Sequence, residues 1–223
     1  MLAKTFTLVS LIATSLATPL THLHTRSLLP NVTIKALPAG CASYPGYNAD
    51  TGIAGPWSLT VSDSENPDLL NYGPSTVYSL SYSPSTGPVM RWGYLVLGYT
   101  KGIARTALQC QDDKLNALAD TSVNAAGAPG NAKWTPLALS PYSYDASLLY
   151  LVDGEQPTLY EHYIGEEKQP GWYLGGYNTT TWGVKWYEAS STSYGYPYFY
   201  LRLLPAGEGL KANETRIFLK FQA

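Results

Sequence analysis

The sequence predicts an all-β protein on three observations. Short runs of alternating apolar and polar residues recur along the chain, clusters of Gly, Pro, Asn and Ser separate them, and no strand-helix-strand spacing appears. About a dozen short strands of this kind leave two architectures open, a β-trefoil-like barrel and a two-sheet β-sandwich. The candidate strands cover residues 32–37, 57–62, 76–82, 90–99, 106–111, 115–119, 135–139, 147–152, 158–164, 172–177, 183–189, 198–204 and 216–222.

Period-two alternation is clearest in the last strand. Ile217, Leu219 and Phe221 share one face there, because successive side chains of a strand point to opposite sides. Residues 83–88 (SPSTGP) are typical of a hairpin connection, and residues 112–114 predict a tighter turn. Apolar residues between 104 and 119 also follow a partial helical spacing, so a short helix stays open as an alternative there.

The first 17 residues match a secretory signal peptide. Lys4 precedes an apolar stretch, and the small residues Ser15 and Ala17 occupy the positions that a cleavage site requires. Residues 18–30 then predict a flexible leader, and residues 31–223 a single β-rich domain. The protein is therefore expected outside the cell or in the cell wall.

Secretion predicts modifications of the two cysteines and of three asparagines. Cys41 and Cys110 are the two cysteines of the chain, and a pair in a secreted protein predicts one disulfide. Such a loop of about 70 residues contributes roughly 4 kcal/mol in the chain-entropy estimate. Asn31, Asn178 and Asn213 each begin an Asn-x-Thr sequon, which predicts N-glycosylation at exposed positions.

Composition argues against several classes of partner. The formal charge is −2 and charged residues make up 13%, without the basic stripe of a nucleic-acid binder. No apolar run after the signal peptide is long enough to span a membrane. Two cysteines and scattered carboxylates do not predict a metal site, and no cofactor motif is present.

Catalytic candidates are few. His162 is the one histidine outside the signal peptide and leader, and it is interpreted as a partly exposed strand residue. A glycosidase needs two opposed carboxylates, and Asp153, Glu155, Glu161 and Glu188 lie beside aromatic residues. Spacing along the chain does not bring any two of them together, so no catalytic residue is assigned.

Aromatic residues concentrate between residues 171 and 200, where eleven of thirty positions are aromatic. Alternation places Trp186 on one face of its strand and Tyr187 on the other, so about half of the set is expected to face the core. The others predict an exposed platform on which sugar rings or a partner protein stack. Its candidate residues are Trp172, Tyr173, Trp182, Trp186 and Tyr187.

Two sequence blocks carry a resemblance. Residues 44–59 (YPGYNADTGIAGPWSL) and 171–188 (GWYLGGYNTTTWGVKWYE), with the signal peptide, the cysteine pair and the Leu-rich C-terminal strand, resemble small secreted proteins of filamentous fungi. The resemblance covers most of the chain after the signal peptide. It implies secretion and a β-rich domain, and it implies no activity.

Three functions follow as hypotheses. The first is a secreted, non-catalytic protein that is either a component of the cell wall or surface or a binder of carbohydrate or of a host protein. The second is a secreted hydrolase with a glycosidase-like carboxylate pair. The third is a trefoil-type protease inhibitor, which would present residues 83–88 or 120–133 as a rigid loop.

Overall fold

The computed structural model describes residues 28–82, 90–101, 105–120, 132–142, 147–188 and 197–222. Strands account for most of the regular structure, so the all-β prediction is confirmed. The predicted signal peptide, most of the leader and the hairpin connection at 83–88 lie outside the described residues.

The described residues form fourteen strands and two 3-10 helices. The helices are Cys41–Ser43 and Pro67–Leu69. The strands are β1 (Thr33–Ala36), β2 (Ala54–Ser64), β3 (Pro74–Tyr82), β4 (Met90–Leu97), β5 (Ala107–Gln111), β6 (Lys114–Asp120), β7 (Ala132–Leu139), β8 (Leu148–Tyr150), β9 (Thr158–Ile164), β10 (Glu167–Lys168), β11 (Tyr173–Gly175), β12 (Thr181–Tyr187), β13 (Tyr198–Leu203) and β14 (Thr215–Gln222).

All thirteen predicted strands overlap an observed strand. The unpredicted strand is β10, whose two residues are too short to show an alternation. The alternative of a short helix over residues 104–119 is wrong, because β5 and β6 pair as a hairpin there. Asp112 and Asp113 form its two-residue turn with φ of 53° and 56°, as the type I′ hairpin turn requires.

Nine strands close into an antiparallel barrel. They follow each other in the order β14, β12, β13, β4, β8, β7, β6, β5 and β2, and pairing of β2 with β14 completes the circle. This closed sheet corresponds to the barrel alternative rather than the two-sheet sandwich. Strands β11, β9 and β1 extend the sheet from β14, β10 pairs with β9, and β3 pairs with β4.

Large apolar side chains fill the barrel. Trp57, Tyr150 and Trp182 are buried together with leucines from most of the barrel strands. Trp182 is fully buried, and its indole Nε1–H donates to the Leu174 carbonyl oxygen at 2.8 Å. Burial of this indole is possible because its polar atom has a partner.

The predicted disulfide is present. Cys41 and Cys110 are bonded, with their Cα atoms 5.3 Å apart, and both side chains are buried. The bond ties the first 3-10 helix to β5, a strand of the barrel. It therefore anchors the segment between β1 and β2 against one end of the barrel.

Candidate binding surface

Aromatic side chains cover the outside of the barrel on three adjacent strands. Trp92 and Tyr94 lie on β4, Tyr198 and Tyr200 on β13, and Tyr187 on β12. The residues on the opposite face of these strands, such as Leu95, Val184 and Leu201, are buried in the core. We call these five residues the outer aromatic face.

The rings of this face contact one another both along a strand and across neighbouring strands. Trp92 stacks on Tyr94 with 5.7 Å between ring centroids, and Tyr187 stacks on Tyr198 with 5.8 Å. Tyr94 and Tyr198 join the two pairs through their hydroxyl oxygens, which lie 3.1 Å apart. The result is one row of rings that crosses β4, β13 and β12.

Exposure differs along the row. Tyr187 is 42% exposed, Trp92, Tyr198 and Tyr200 are half-buried, and Tyr94 is buried beneath its neighbours. Lys185 places its ammonium 5.6 Å from the centroid of the Tyr187 ring, within the range of a cation–π contact. The surface therefore combines apolar rings, phenol hydroxyls and one positive charge.

The predicted platform residues divide between core and surface. The outward placement of Trp182 is wrong, because the side chain points into the barrel, and Tyr173 is also buried. Trp172 is half-buried against the core. Trp186 and Tyr187 are exposed and, as alternation predicts, lie on opposite faces of β12, with Trp186 packed against Phe199 and Tyr187 against Tyr198.

Sequence reasoning missed Trp92, Tyr94, Tyr198 and Tyr200 as surface candidates. The signal available for the first two was the alternation in β4, where Trp92 and Tyr94 share a parity. Both faces of that strand are apolar, so alternation alone does not say which face is outside.

The four candidate carboxylates do not share one site. Glu161 accepts hydrogen bonds from Lys168 and Tyr163, and these partners hold its pKa below the ordinary value. A general acid needs the opposite shift. Glu188 accepts from the Trp186 indole at 2.8 Å, whereas Glu155 lines a groove at the end of the barrel that none of the other three lines.

The three sequon asparagines are all exposed. Asn31 precedes β1, while Asn178 and Asn213 lie in turns and adopt positive φ of 57° and 64°. Thr180, the hydroxyl residue of the second sequon, is buried and bonded to His162. Glycosylation at these positions stays a prediction.

His162 is buried, so its interpretation as a partly exposed residue is wrong. Its ring stacks on Tyr173 with centroids 3.5 Å apart, meets the edge of Phe218, and lies 2.8 Å from the Thr180 hydroxyl oxygen through Nε2. Burial lowers the pKa of His162 to about 4. The imidazole is therefore a neutral part of the packing.

This burial predicts a loss of stability in mild acid. The folded protein keeps His162 neutral, while the unfolded chain takes up a proton below its ordinary pKa of 6.5. The free energy of unfolding is expected to be highest above pH 6.5 and to fall by about 1–3 kcal/mol as the pH approaches 4.5.

Urea unfolding of the wild type and of His162→Phe at pH 7 and pH 4.5 measures this effect. Phenylalanine keeps a ring against Tyr173 but does not titrate, so its stability should depend less on pH than that of the wild type. Equal losses in the two proteins would contradict the assignment.

The described ranges contain neither a cluster of metal ligands nor a membrane-spanning helix. Among these residues, no group of three or more His, Cys, Asp or Glu side chains lies close enough to hold a metal ion. No helix in them has the length and apolar character needed to cross a membrane. The two segments suggested as inhibitor loops fall largely outside these ranges, at 83–88 and 121–131.

Comparison with known proteins does not assign the chain to a family. No protein-family model matches the sequence, and no curated protein is significantly similar to it.

Proposed function

We propose that this protein is secreted, has no catalytic role, and binds polysaccharide of a cell wall or surface through the outer aromatic face. The observation that carries the proposal is the row of aromatic side chains across β4, β13 and β12. These side chains lie on the outer side of the barrel, where Trp92, Tyr198 and Tyr200 pack around Tyr94 in a cluster separate from the main core.

The chemistry of the row suits a carbohydrate chain. Tyr and Trp side chains combine a flat apolar surface with a polar tip, and a sugar ring likewise presents C–H groups on its faces and hydroxyls at its edges. An extended row of rings fits an extended polysaccharide better than it fits one compact ligand. Lys185, beside Tyr187, adds a hydrogen-bond donor for sugar hydroxyls.

Two features support secretion. The first 17 residues have the charge, apolar stretch and small residues of a signal peptide. The bonded cysteine pair is typical of proteins that mature in an oxidising compartment. The alternative of a hydrolase has less support, because Glu161 has a lowered pKa whereas a general acid needs a raised one.

Replacing Tyr187 with alanine is expected to weaken binding without unfolding the protein. Tyr187 is the most exposed ring of the row, and an aromatic contact contributes about 0.5–1.5 kcal/mol, or about two- to tenfold in affinity. Depletion of the protein from solution by insoluble chitin and by insoluble β-glucan measures the effect.

Tyr47→Ala is the matched control, because Tyr47 is similarly exposed at 39% and lies outside the row. The control should bind like the wild type, and both variants should keep the wild-type melting temperature within a few degrees. If neither polymer retains the wild type, or if Tyr187→Ala and Tyr47→Ala are retained equally, polysaccharide binding by this face is refuted.

A further inference from the structure

A groove of about 470 Å³ opens at one end of the barrel. Four segments line most of it: residues 36–40 from the end of β1, the β5–β6 turn, residues 155–158 up to the start of β9, and the turn at 177–178. Tyr44, Leu115 and Tyr160 complete the lining. It shares no residue with the outer aromatic face. The mouths of β-barrels are common positions for ligand sites.

Hydrogen bonds and the disulfide hold the walls in place. The backbone N–H of Cys41 donates to Asp113 Oδ1 at 3.1 Å, beside the bond between Cys41 and β5. The carbonyl oxygen of Glu155 accepts from Leu139 N–H at 2.7 Å, and Gln156 Nε2 donates to a β7 carbonyl oxygen at 2.8 Å. A site with fixed walls loses little entropy when a ligand binds.

The described side chains of the groove carry negative charge and no positive charge. Asp113 and Glu155 supply two carboxylates, and none of the lining residues is Lys, Arg or His. Tyr44, Tyr160 and Tyr177 supply three phenol groups. A concave surface with one sign of charge concentrates ligands of the opposite sign, so this groove favours cations.

Electrostatic effects indicate that two of the phenol groups, those of Tyr160 and Tyr177, lie near Glu155. Burial raises the pKa of Tyr160, the backbone N–H of Asn178 opposes the shift, and the charge of Glu155 adds to it. Burial and then the charge of Glu155 raise the pKa of Tyr177. Burial raises the pKa of Tyr44 to about 12. All three hydroxyls are therefore neutral at physiological pH.

Gln156, a residue of the groove wall, has a buried acceptor without a partner. Gln156 Oε1 is buried and accepts no hydrogen bond in the described part of the chain, while the amide nitrogen of the same side chain is bonded. A buried acceptor in this state is costly, and the ligand contacts proposed below do not depend on it.

We propose that this groove binds a small ligand that carries a primary ammonium group. Its N–H donors would meet the carboxylates of Glu155 and Asp113 and the tyrosine oxygens, while its carbon skeleton would lie against the rings. A primary ammonium fits better than a quaternary one, because the groove offers hydrogen-bond acceptors as well as rings. Amino sugars and polyamines both carry this group.

NMR titration of the wild-type protein with glucosamine, putrescine and glucose tests the proposal. Glucosamine and glucose differ in one amino group, so saturable shifts of the Tyr177 and Asn178 amides with glucosamine and none with glucose would support the ammonium site. Saturation by glucosamine alone would identify an amino sugar as the ligand class, and saturation by putrescine alone a polyamine. No saturation by either amine, or equal binding of glucose, would overturn the proposal.

Two variants test the role of charge. Glu155→Gln keeps the size of the side chain and removes its charge, and should weaken ammonium binding by at least about threefold. Asp153→Asn removes an exposed charge two residues away that does not line the groove, and should bind like the wild type. Equal affinity of Glu155→Gln and Asp153→Asn, with melting temperatures unchanged, would contradict the role of Glu155. Loss of polysaccharide binding by Tyr187→Ala does not bear on this result, because the two sites share no residue.

Discussion

Glu214→Ala is expected to destabilise the protein by about 3–5 kcal/mol, because it leaves a buried guanidinium without its main partner. Arg202 is 1% exposed on the outward side of β13. Its Nε lies 2.9 Å from Glu214 Oε1 and its Nη2 lies 2.5 Å from Glu214 Oε2, so the contact is bidentate. Glu214 also accepts from the backbone N–H of Lys211.

Thermal unfolding measures the effect, and a loss of this size lowers the melting temperature by about 6–20 °C in a domain of this size. Glu208→Ala is the control. Glu208 contacts the same guanidinium at 3.0 Å, but its side chain is 36% exposed, so its loss should cost about 1 kcal/mol or less. Equal effects of the two substitutions would show that burial of the Glu214 contact is unimportant.

The same ion pair predicts acid sensitivity. Burial alone would raise the pKa of Glu214, but hydrogen bonds from Arg202 and from the Lys211 backbone hold it below the ordinary value of 4.5. The stability that this group contributes is therefore fully present above pH 4.5, and it is lost as the pH falls through the lowered pKa. Between pH 6.5 and 4.5 the change should instead come from His162.

Trp182→Ala is expected to cost about 3–5 kcal/mol, the range for truncation of a buried aromatic side chain. The indole lies inside the barrel, where its removal leaves a cavity, and its hydrogen bond to the Leu174 carbonyl oxygen is lost as well. Urea unfolding measures the loss.

Trp186→Ala provides the comparison on the same strand. Trp186 is 39% exposed, contacts Phe199 and donates to Glu188, so its truncation should cost clearly less. Trp182→Phe should fall between them, because it keeps most of the apolar volume and loses the hydrogen bond, about 1 kcal/mol. If Trp182→Ala were no more destabilising than Trp186→Ala, the barrel core described above would be wrong.

Alternation in the sequence was enough to predict the strands, but not which face of each strand points inward. Trp182 is two residues before Val184, so the two side chains lie on the same face of the strand, and both are in the core. The density of aromatic residues around Trp182 nevertheless favoured an exposed platform. A strand such as β4 is apolar on both faces, so its pattern is the same whether Trp92 or Leu95 points inward. Which face of such a strand is buried depends on the strands that pair with it.

Those partners are distant in sequence. Tyr94 and Tyr198 are 104 residues apart, and they meet because β13 pairs with β4. No local sequence pattern predicts the pairing of β13 with β4. The same holds for the choice between barrel and sandwich, since closure depends on the pairing of β2 with β14, two strands that are far apart along the chain. The disulfide was predictable because the chain has two cysteines.

The most direct test of polysaccharide binding by the outer aromatic face is an NMR map of the tryptophan indole N–H signals during titration with chito- and gluco-oligosaccharides. Binding at this face should shift the Trp92 indole signal in a saturable way with at least one of these sugars, while the signal of the buried Trp182 indole does not move. If the Trp92 signal stays in place while other indole signals shift, or if no signal responds to either sugar, polysaccharide binding by the outer aromatic face is contradicted.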